Sequence, residues 1–349
     1  MTAARPVVGD TLRTDRVLLR PPRISDLDAL VARRNEPEIA VLQSWALPYL
    51  RADGEALLRA AVEMGGPQVD RWWMLTITDP TDSVIYGDLA LRLKWEGRTA
   101  EIGFTLARKN WRQGYASESA AALIEHLFVE RDVHRVEALL HPDNRASAHV
   151  LERCGLLYEG RTRDSYWVAG QPSDDLLYGM LRDDWQAWLD RPRTRPDKIE
   201  LIEVTPNNAH AVERLRTHHS QRAFVSSVTE SLADAFIPEV VDGAQVVPWY
   251  RAITADGDLV GFVMMAEPTE HHVHPYLWRL LIDRRHQRRG IGTRVLDLVV
   301  AQCRDWGANA LDTSWNDGRG SPEPVYLRYG FVPTGRIVDG EIEGRLELA

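Results

Sequence analysis

The sequence predicts an α/β protein made of two domains in tandem, each with an α+β mixed sheet, and three observations support this fold class. The chain has 349 residues, which is too long for one ordinary domain and long enough for two separate cores. A polar stretch near its middle has the composition of a linker. On both sides of that stretch, strands, a glycine-containing loop and a long helix recur in the same order.

The boundary between the domains is predicted where the chain loses its apolar residues. The stretch Leu189–Lys198 contains two prolines and, after Leu189, no apolar residue. Such a segment cannot pack into a core. We therefore predict a first domain over residues 1–190, a linker over 191–198 and a second domain over 199–349.

Apolar periodicity and capping signals predict the elements of each half. The first half is predicted to contain strands over 16–20, 71–78, 84–95, 99–106 and 134–140, and helices over 24–30, 116–130 and 147–153. The second half is predicted to contain strands over 199–204, 248–254, 259–265, 276–282 and 310–315, and helices over 293–305 and through Tyr326. Ser25 is the expected N-cap of the first helix, and Gly155 is expected to end the helix over 147–153.

Charge and composition exclude several classes of protein. The formal net charge is −9, which disfavours a nucleic-acid partner and suits a cationic substrate. Cys154 and Cys303 fall in different halves, so neither a disulfide framework nor a zinc site is indicated. No apolar leader or membrane-spanning run is visible. We expect a cytoplasmic monomer or homodimer with no metal, nucleic-acid or membrane partner.

The segment Gln287–Gly292 lies between an apolar strand and an amphipathic helix. Glycines at 290 and 292 would let backbone N–H groups approach an anion, and the helix start adds its positive dipole end. Arg288 and Arg289 are expected to add charge. The pattern differs from the Walker loop and from the dinucleotide fingerprint. It predicts a pyrophosphate site, and the alternative is a plain strand-to-helix turn.

Through this loop the second half resembles the GNAT superfamily, whose acetyl-CoA loop reads Q/R-x-x-G-x-G/A. The resemblance continues through residues 321–331, and residues 331–343 are similar to those of polyamine- and diamine-acetylating relatives. It implies that Tyr326 is a general acid for the thiolate of CoA, whereas the alternative is a tyrosine packed in the core. The acetyl-CoA contacts it implies here are Leu281, Ile282, Gln287, Arg288, Arg289, Gly290, Ile291 and Gly292.

The first half resembles the ribosomal-protein N-terminal acetyltransferases of the same superfamily. Its loop has small residues at Gly114 and Ala116, but Trp111 stands in place of the Gln or Arg. Leu151 occupies the tyrosine position, and the resemblance implies that Ser147 contacts the thiol instead. The alternative for Ser147 is an N-cap or first-turn residue. The implied acetyl-CoA contacts are Leu106, Trp111, Arg112, Gln113, Gly114, Tyr115, Ala116 and Asn144.

An acetyl transfer to an amine needs a base that removes a proton from the attacking ammonium. In the first half Glu101 matches a glutamate that similar enzymes use, and the alternative is an exposed charge at a strand end. In the second half Glu323 precedes Tyr326 by three residues and should lie near it on a helix. Glu341 and Asp283 are rivals, and a solvated surface role is the expectation for any one of them.

Two other features attract attention and are interpreted as structural. The histidines of His271–His274 fall where a hairpin turn is expected, and only the adjacent Glu270 accompanies them, so they are not predicted to bind a metal. The tryptophans at 72, 73, 249 and 278 lie in predicted strands and are expected to pack in the core.

These observations predict an N-acetyltransferase that moves the acetyl group of acetyl-CoA to a primary amine by direct attack in a ternary complex. A small cationic amine or an antibiotic-like molecule is the favoured acceptor, and the second half is the expected main catalyst. The alternatives are one catalytic domain beside a non-catalytic domain of the same fold, acetylation of a protein N-terminus, and transfer of another acyl group.

Overall fold

The computed structural model describes residues 11–168, 170–241, 243–318 and 320–348. These residues form two compact units that divide between Leu189 and Asp190. We call them the first and second unit and describe each by itself.

The first unit contains eight strands and six helices in its described residues. The strands are β1 Leu12–Arg13, β2 Leu18–Arg20, β3 Trp72–Thr78, β4 Ile85–Lys94, β5 Thr99–Leu106, β6 Arg135–Leu140, β7 Leu157–Val168 and β8 Gln171–Leu181. The helices are α1 Leu27–Arg34, α2 Pro37–Ala40, α3 Arg51–Met64, α4 Tyr115–Val129, α5 Arg145–Cys154 and α6 Arg182–Leu189.

The strands of the first unit form one sheet in the order β1-β2-β3-β4-β5-β6-β8-β7. The central pair, β5 and β6, is parallel and is registered from Thr99 opposite Arg135 to Glu101 opposite Glu137. Beyond that point the two strands are no longer paired. Helix α4 buries Leu123 and other apolar residues of one face in the core, while that core also receives the apolar residues of β3 and β5.

The second unit repeats this plan. Its strands are β9 Ile199–Ile202, β10 Val240–Val241, β11 Ala244–Gln245, β12 Pro248–Ala255, β13 Asp258–Ala266, β14 Tyr276–Ile282, β15 Ala310–Trp315, β16 Val332–Val338 and β17 Glu341–Glu347. Its helices are α7 Ala209–Glu213, α8 Val228–Phe236, α9 Ile291–Asp305 and α10 Glu323–Tyr329.

Seven strands of the second unit form a sheet in the order β16-β17-β15-β14-β13-β12-β9. Here too the central pair is parallel, and β14 pairs with β15 only at Tyr276–Asp312 and Leu277–Thr313. Helix α9 buries Val295, Val299 and further apolar residues against the sheet. In each unit, therefore, one strand of a parallel pair leads through a loop into a long helix, and the two strands of that pair separate beyond a short paired segment.

The predicted strands and helices named above are present, with shifts of a few residues at their ends. The N-cap at Ser25 is wrong. The carboxylate of Asp26 accepts the backbone N–H of Arg23 at 2.9 Å, so a short 3-10 turn forms first and α1 begins at Leu27. Gly155 does end α5, with φ of 95°.

Several elements were not predicted, among them α3, α8 and the long hairpins β7–β8 and β16–β17. Strand β7 is mostly exposed and rich in charged residues, so it lacks the apolar alternation that marks a half-buried strand. Helix α3 carries Gly54 in its interior, although that glycine packs closely on Leu27 and Val31.

A buried ion pair ties the start of α1 to the sheet. Asp26 accepts two hydrogen bonds from Arg20 at 2.9 Å and one from the Thr76 hydroxyl at 2.9 Å. Burial opposes the charge, but the hydrogen bonds from Arg20, from the Arg23 backbone and from Thr76 lower the pKa of Asp26 below its ordinary value.

We expect Asp26→Asn to lower the free energy of unfolding by about 2–3 kcal/mol at pH 7, because buried Arg20 loses one of its two carboxylate partners and keeps only Asp82, at 2.6 Å. The lowered pKa means that this contribution is present above about pH 4 and is lost as the pH falls further. Urea unfolding at several pH values measures both effects. Asp28→Asn, whose side chain is 83% exposed, is the control and should change stability little at any pH.

Candidate active sites

The loop between β14 and α9 has a defined backbone shape. Gln287 donates its side-chain N–H to the carbonyl of Ile282, the last residue of β14, at 3.0 Å. Arg288 and Gly290 both have left-handed backbone conformations, with φ of 62° and 75°, and Gly290 is the N-cap of α9. The first N–H groups of α9 have no partner within the helix, so they can bind an anion.

The loop between β5 and α4 has the same shape in spite of its different sequence. The indole N–H of Trp111 donates to the carbonyl of Leu106, the last residue of β5, at 2.8 Å. Arg112 and Gly114 repeat the left-handed pair, with φ of 62° and 87°. Trp111 therefore makes the hydrogen bond that Gln287 makes in the second unit, which explains why the departure from the family pattern preserves the loop.

Glycine occupies positions 290 and 292 of the second loop for two different physical reasons. Gly290 is required by its positive φ. Gly292 lies inside α9, where glycine costs about 0.5–1 kcal/mol relative to alanine. A Cβ at Gly292 would meet no protein atom within 4 Å, so packing within the protein does not explain the glycine. The open space suits a phosphate group that approaches the backbone closely, as the sequence predicts.

The charges around the second loop differ from the expectation. Arg288 is exposed, but Arg289 is buried and its guanidinium is bonded to the carbonyl of Thr194 at 2.7 Å and to His286 at 2.9 Å. Arg289 therefore anchors the preceding chain segment rather than adding charge to the outside of the loop. Arg195, from that same segment, lies beside Gly290, with its Nε 3.7 Å from the position of a Cβ there.

In the first loop Arg16 holds the corresponding place beside Gly114. It forms an ion pair with Glu118 at 2.5 Å and donates to the carbonyl of Gln113 at 2.9 Å. Glu118 lies four residues after the N-cap glycine, whereas the second unit has Arg294 at that position. The second loop consequently carries more uncompensated positive charge than the first.

The other residues predicted to contact acetyl-CoA lie in or beside these two loops. In the second unit, Leu281 and Ile291 are buried in the core, and Ile282 ends β14 and is half-buried. In the first unit, Arg112 and Gln113 are exposed. Tyr115 stacks on Tyr86 with ring centroids 4.3 Å apart, and Ala116 follows it in the first turn of α4.

A cleft of about 690 Å³ opens in the first unit where β5 and β6 separate. The last residues of β5, the start of α5 and parts of β7 and β8 line it. Asn144 and Ser147 both face this cleft, and Asn144 is the N-cap of α5, accepting the backbone N–H of Ser147 at 3.1 Å. Ser147 is thus a first-turn residue but not the cap. Its hydroxyl forms no hydrogen bond within the described residues and is available to a ligand.

Two further predicted positions lie in this cleft. Leu151 is buried on its wall, so no phenol stands at the position that a tyrosine occupies in the family pattern. Glu101 is 7% exposed, so the alternative of an exposed strand-end charge is wrong. Its Oε2 atom is paired with Arg92 and, at 3.3 Å, with Lys94, while its other oxygen has no hydrogen-bond partner in the part of the chain that is described.

Asp175 in β8 was missed by the sequence analysis. It is 5% exposed, lines the same cleft and accepts a hydrogen bond from the Ser165 hydroxyl at 3.0 Å. Burial first, and the negative charge of Glu101 in addition, raise the pKa of Asp175 above its ordinary value, although the Ser165 hydrogen bond opposes the shift. Because β8 was not predicted, no sequence signal assigned Asp174 and Asp175 to opposite faces.

In the second unit Tyr326 is buried in the core. Its ring packs on Trp315 and Phe331, at centroid distances of 5.6 and 5.3 Å. Burial raises the pKa of Tyr326 to about 12, with the neighbouring Thr313 hydroxyl acting in the other direction. Because Tyr326 is only 7% exposed and packs between aromatic rings of the core, its surroundings favour the packing alternative over a general acid. Glu323 begins α10 one turn earlier.

The two rival carboxylates of the second unit have clear surroundings. Asp283 is buried and accepts the backbone N–H groups of Arg216 at 3.1 Å and of Arg285 at 3.0 Å, so it shapes the loop. Glu341 accepts from the Ser314 hydroxyl at 2.5 Å and from Asn316 at 2.7 Å. Both partners of Glu341 lie at the end of β15 or just beyond it.

The histidine run lies between β13 and β14. One ring nitrogen of His272 is 2.8 Å from the carbonyl of Val241, which ties the run to the neighbouring hairpin. Among the residues the structure describes, no group of three or more histidine, cysteine, aspartate or glutamate side chains could hold a metal ion. None of the described helices combines the length and apolar character needed to cross a bilayer.

Comparisons with known proteins agree with this geometry. A family model described as Acetyltransferase (GNAT) domain matches residues 16–157, and one described as Acetyltransferase (GNAT) family matches residues 212–331. Each unit is a GNAT domain. The chain belongs to the GNAT family as a tandem of two such domains, and GNAT acetyltransferases use acetyl-CoA.

Several known proteins are similar to part of the chain. Uncharacterized N-acetyltransferase p20 of Bacillus licheniformis is 28% identical over 179 residues, which are 50% of this chain and 98% of that protein. The ribosomal protein uS5-alanine N-acetyltransferase of Escherichia coli is 29% identical over 84 residues, or 24% of this chain and 43% of that protein. The solved structure of Mycobacterium smegmatis RimJ in complex with CoA-disulfide is 24% identical, has a TM-score of 0.44, and covers 53% of this chain and 91% of its own.

We expect Gly290→Val to weaken acetyl-CoA binding by the second unit about tenfold or more. A β-branched residue resists the left-handed backbone, at a cost of roughly 1–2 kcal/mol, so the loop must change shape. Calorimetry in a Gly114→Val background, in which the first loop is altered in the same way, reports on the second unit alone.

Gly307→Val is the matched control, because Gly307 has the same φ of 75° and lies just beyond the other end of α9. It should lose similar stability and keep acetyl-CoA affinity. Equal affinity in the Gly290 and Gly307 variants would show that the loop does not bind the phosphates.

Proposed function

We propose that the protein transfers the acetyl group of acetyl-CoA to a primary amine, and that the first unit carries the acceptor site. The observation that supports this is the cleft in the first unit, which brings a free Ser147 hydroxyl and two buried carboxylates together beside β5, the strand that leads into the phosphate loop. Its volume of about 690 Å³ is typical of small-molecule sites. The sequence alone favours the second half as the main catalyst, but the core position of Tyr326 argues against that ranking.

The reaction we propose is direct attack in a ternary complex. A covalent acyl-enzyme through cysteine is disfavoured, because Cys154 and Cys303 are both buried and burial raises the pKa of each thiol to about 12. A thiol is nucleophilic only as the thiolate, which such burial suppresses. The acceptor nitrogen itself must then attack the thioester carbonyl.

The residues that would bind acetyl-CoA in the first unit follow from the loop. Backbone N–H groups at the start of α4 would bind the pyrophosphate, and the separated strands β5 and β6 would admit the thioester arm. Ser147 would donate its hydroxyl proton toward the leaving sulfur, in the role that a phenol has in other family members. Asn144 fixes the turn that presents Ser147.

The acceptor class is a primary amine, and the cleft admits either a small amine or the first residue of a peptide. A protein N-terminus remains the second candidate, because the Escherichia coli relative is named for acetylating an alanine of a ribosomal protein. Release of CoA from acetyl-CoA, measured against monoamines, polyamines, aminoglycosides and alanine-terminated peptides, tests the proposal. Absence of CoA release with every amine would reject it.

For the second unit we propose acetyl-CoA binding with weak or no catalysis. Its loop has the complete glycine pattern and the larger positive charge, but its phenol is packed against Trp315 and Phe331. We also retain the division into 1–190, a linker over 191–198, and 199–349 as a proposal. The carbonyls of Thr194, Pro196 and Asp197 accept hydrogen bonds from arginines of the second unit, so that part of the linker is held there.

We expect Ser147→Ala to lower kcat about 10²-fold with little change in KM for acetyl-CoA, since it removes a proton donor that acts only on the leaving group. Tyr326→Phe should leave kcat for the same amine within a few-fold. Steady-state kinetics with one active amine compares the two. A large loss in Tyr326→Phe beside full activity in Ser147→Ala would make the second unit the catalyst.

A further inference from the structure

Asp175 stands apart from other buried carboxylates of the first unit. Asp26 is paired with Arg20, Asp88 with Arg33, and Glu101 and Glu137 with Lys94. Asp175 has no ion pair within the described residues, and its one side-chain hydrogen bond comes from Ser165.

A carboxylate buried without a cation is costly, and proteins avoid it unless a partner arrives from outside. Asp175 lines an open cleft, so a ligand can reach it. The charged and titratable groups around it are Glu101 from β5, His141 beyond β6, Tyr166 from β7 and Asp174 on its own strand. Arg92 and Lys94 also line the cleft, but they are paired with Glu101, so Asp175 itself has no cationic partner in the described residues.

We propose that Asp175 binds the ammonium group of the acceptor and takes its proton, and that the acceptor is an amine that carries a single positive charge. This inference rests on the function proposed above for the first unit. It assigns the role of base to Asp175 rather than to Glu101, whose Oε2 is already paired with Arg92 and Lys94.

The single charge follows from the cations that line the same cleft, namely Arg34, Arg92 and Lys94. Arg92 and Lys94 are paired with Glu101 and Glu137, but Arg34 forms no ion pair within the described residues and stacks over Trp45 at 4.4 Å. A second ammonium on the acceptor that approached Arg34 would be repelled. Amines with a neutral body, such as a peptide N-terminus or an arylalkyl amine, fit this arrangement, and polyamines do not.

The proposed reaction moves two protons from the acceptor nitrogen. The acceptor R–NH3⁺ gives one proton to Asp175, directly or through one water, and the freed lone pair attacks the thioester carbonyl carbon. The C–N bond forms, the C–S bond breaks, and its electron pair leaves on sulfur. The second nitrogen proton reaches the sulfur through the Ser147 hydroxyl. Asp175 then releases its proton to solvent, which leaves the amide, CoA thiol and H⁺.

Burial supports the role of Asp175, because its raised pKa brings the carboxylate nearer to the pH at which a base works well. The same shift gives a stability signature. A buried acid whose pKa is raised binds a proton more readily in the folded state, so its charge destabilises the fold increasingly as the pH rises through that pKa. Replacing Asp175 with a neutral isostere removes this penalty.

The test is Asp175→Asn in the full chain, assayed by CoA release with an alanine-terminated tripeptide amide, phenylethylamine and spermidine as acceptors. We expect kcat/KM for the monoamines to fall about 10²-fold or more at pH 7, and the acidic limb of its pH profile to disappear. KM for acetyl-CoA should be unchanged. The melting temperature at pH 7 should stay the same or rise, which a merely structural carboxylate would not produce.

Asp174→Asn is the matched control, because Asp174 neighbours Asp175 in β8 but is bonded to Arg161 at 2.5 Å and to the Asp164 backbone at 2.9 Å. It should keep the rate and the acidic limb, with the limb shifted only slightly to lower pH, because one weakly acting negative charge near Asp175 is lost. Asp175→Glu should be faster than Asp175→Asn, because it keeps a carboxylate. Its acidic limb should shift, because the longer side chain places that carboxylate at a different position in the cleft.

Three other outcomes of these assays would each contradict a particular part of the proposals. A wild-type enzyme that acetylates an amine while Asp175→Asn keeps its rate and acidic limb overturns this inference and leaves the proposed function intact. Spermidine as the best acceptor overturns the single-charge rule. If wild-type protein releases no CoA with any of the three amines, and calorimetry on its CoA complex detects no amine binding that depends on Asp175, both proposals are overturned.

Discussion

The constraint on which the first unit depends is the point where β5 and β6 separate. Their last registered pair places two carboxylates, Glu101 and Glu137, directly opposite each other. Lys94, from the next strand, bridges them at 3.3 and 2.6 Å. Like charges across a pair destabilise a sheet unless a counter-charge joins them. The bridge thus stabilises the last parallel pair, and the cleft opens beyond it.

Local hydrogen bonding explains how two divergent loops reach one backbone shape. A side-chain N–H must reach the carbonyl five residues earlier, at the end of the preceding strand. In one loop an amide, Gln287, supplies it, and in the other an indole, Trp111. The family pattern specifies the type of residue, whereas the loop requires only a side chain whose N–H group can reach that carbonyl. The charges around the loops are free to differ, and Glu118 and Arg294 show that they do.

Sequence reasoning predicted the four strands of the two parallel pairs, both loops and the core helices, because strong apolar periodicity and paired glycines act over short distances. It did not predict that the paired strands separate. It could not assign residues whose role depends on contacts distant in sequence. From its place in the loop, Arg289 was expected to add charge for the phosphates, but in the structure it donates a hydrogen bond to the carbonyl of Thr194. Tyr326 fitted the family pattern, but whether its phenol reaches a site depends on packing by Trp315 and Phe331. Asp175 was missed because its strand lacks alternating apolar residues.

The buried acids of the first unit are of two kinds: those paired with a cation stabilise the fold, and Asp175, which has no such partner, is proposed to act in function. Where an acid is paired, as Asp26 is with Arg20, the charge holds two elements together and its pKa falls. Where burial comes without a cation, as at Asp175, the charge opposes folding and its pKa rises. Proteins retain such a cost at sites that must receive a charged ligand or a proton. The unpaired acid is consequently better evidence for an acceptor site than the paired Glu101, although Glu101 has the family position.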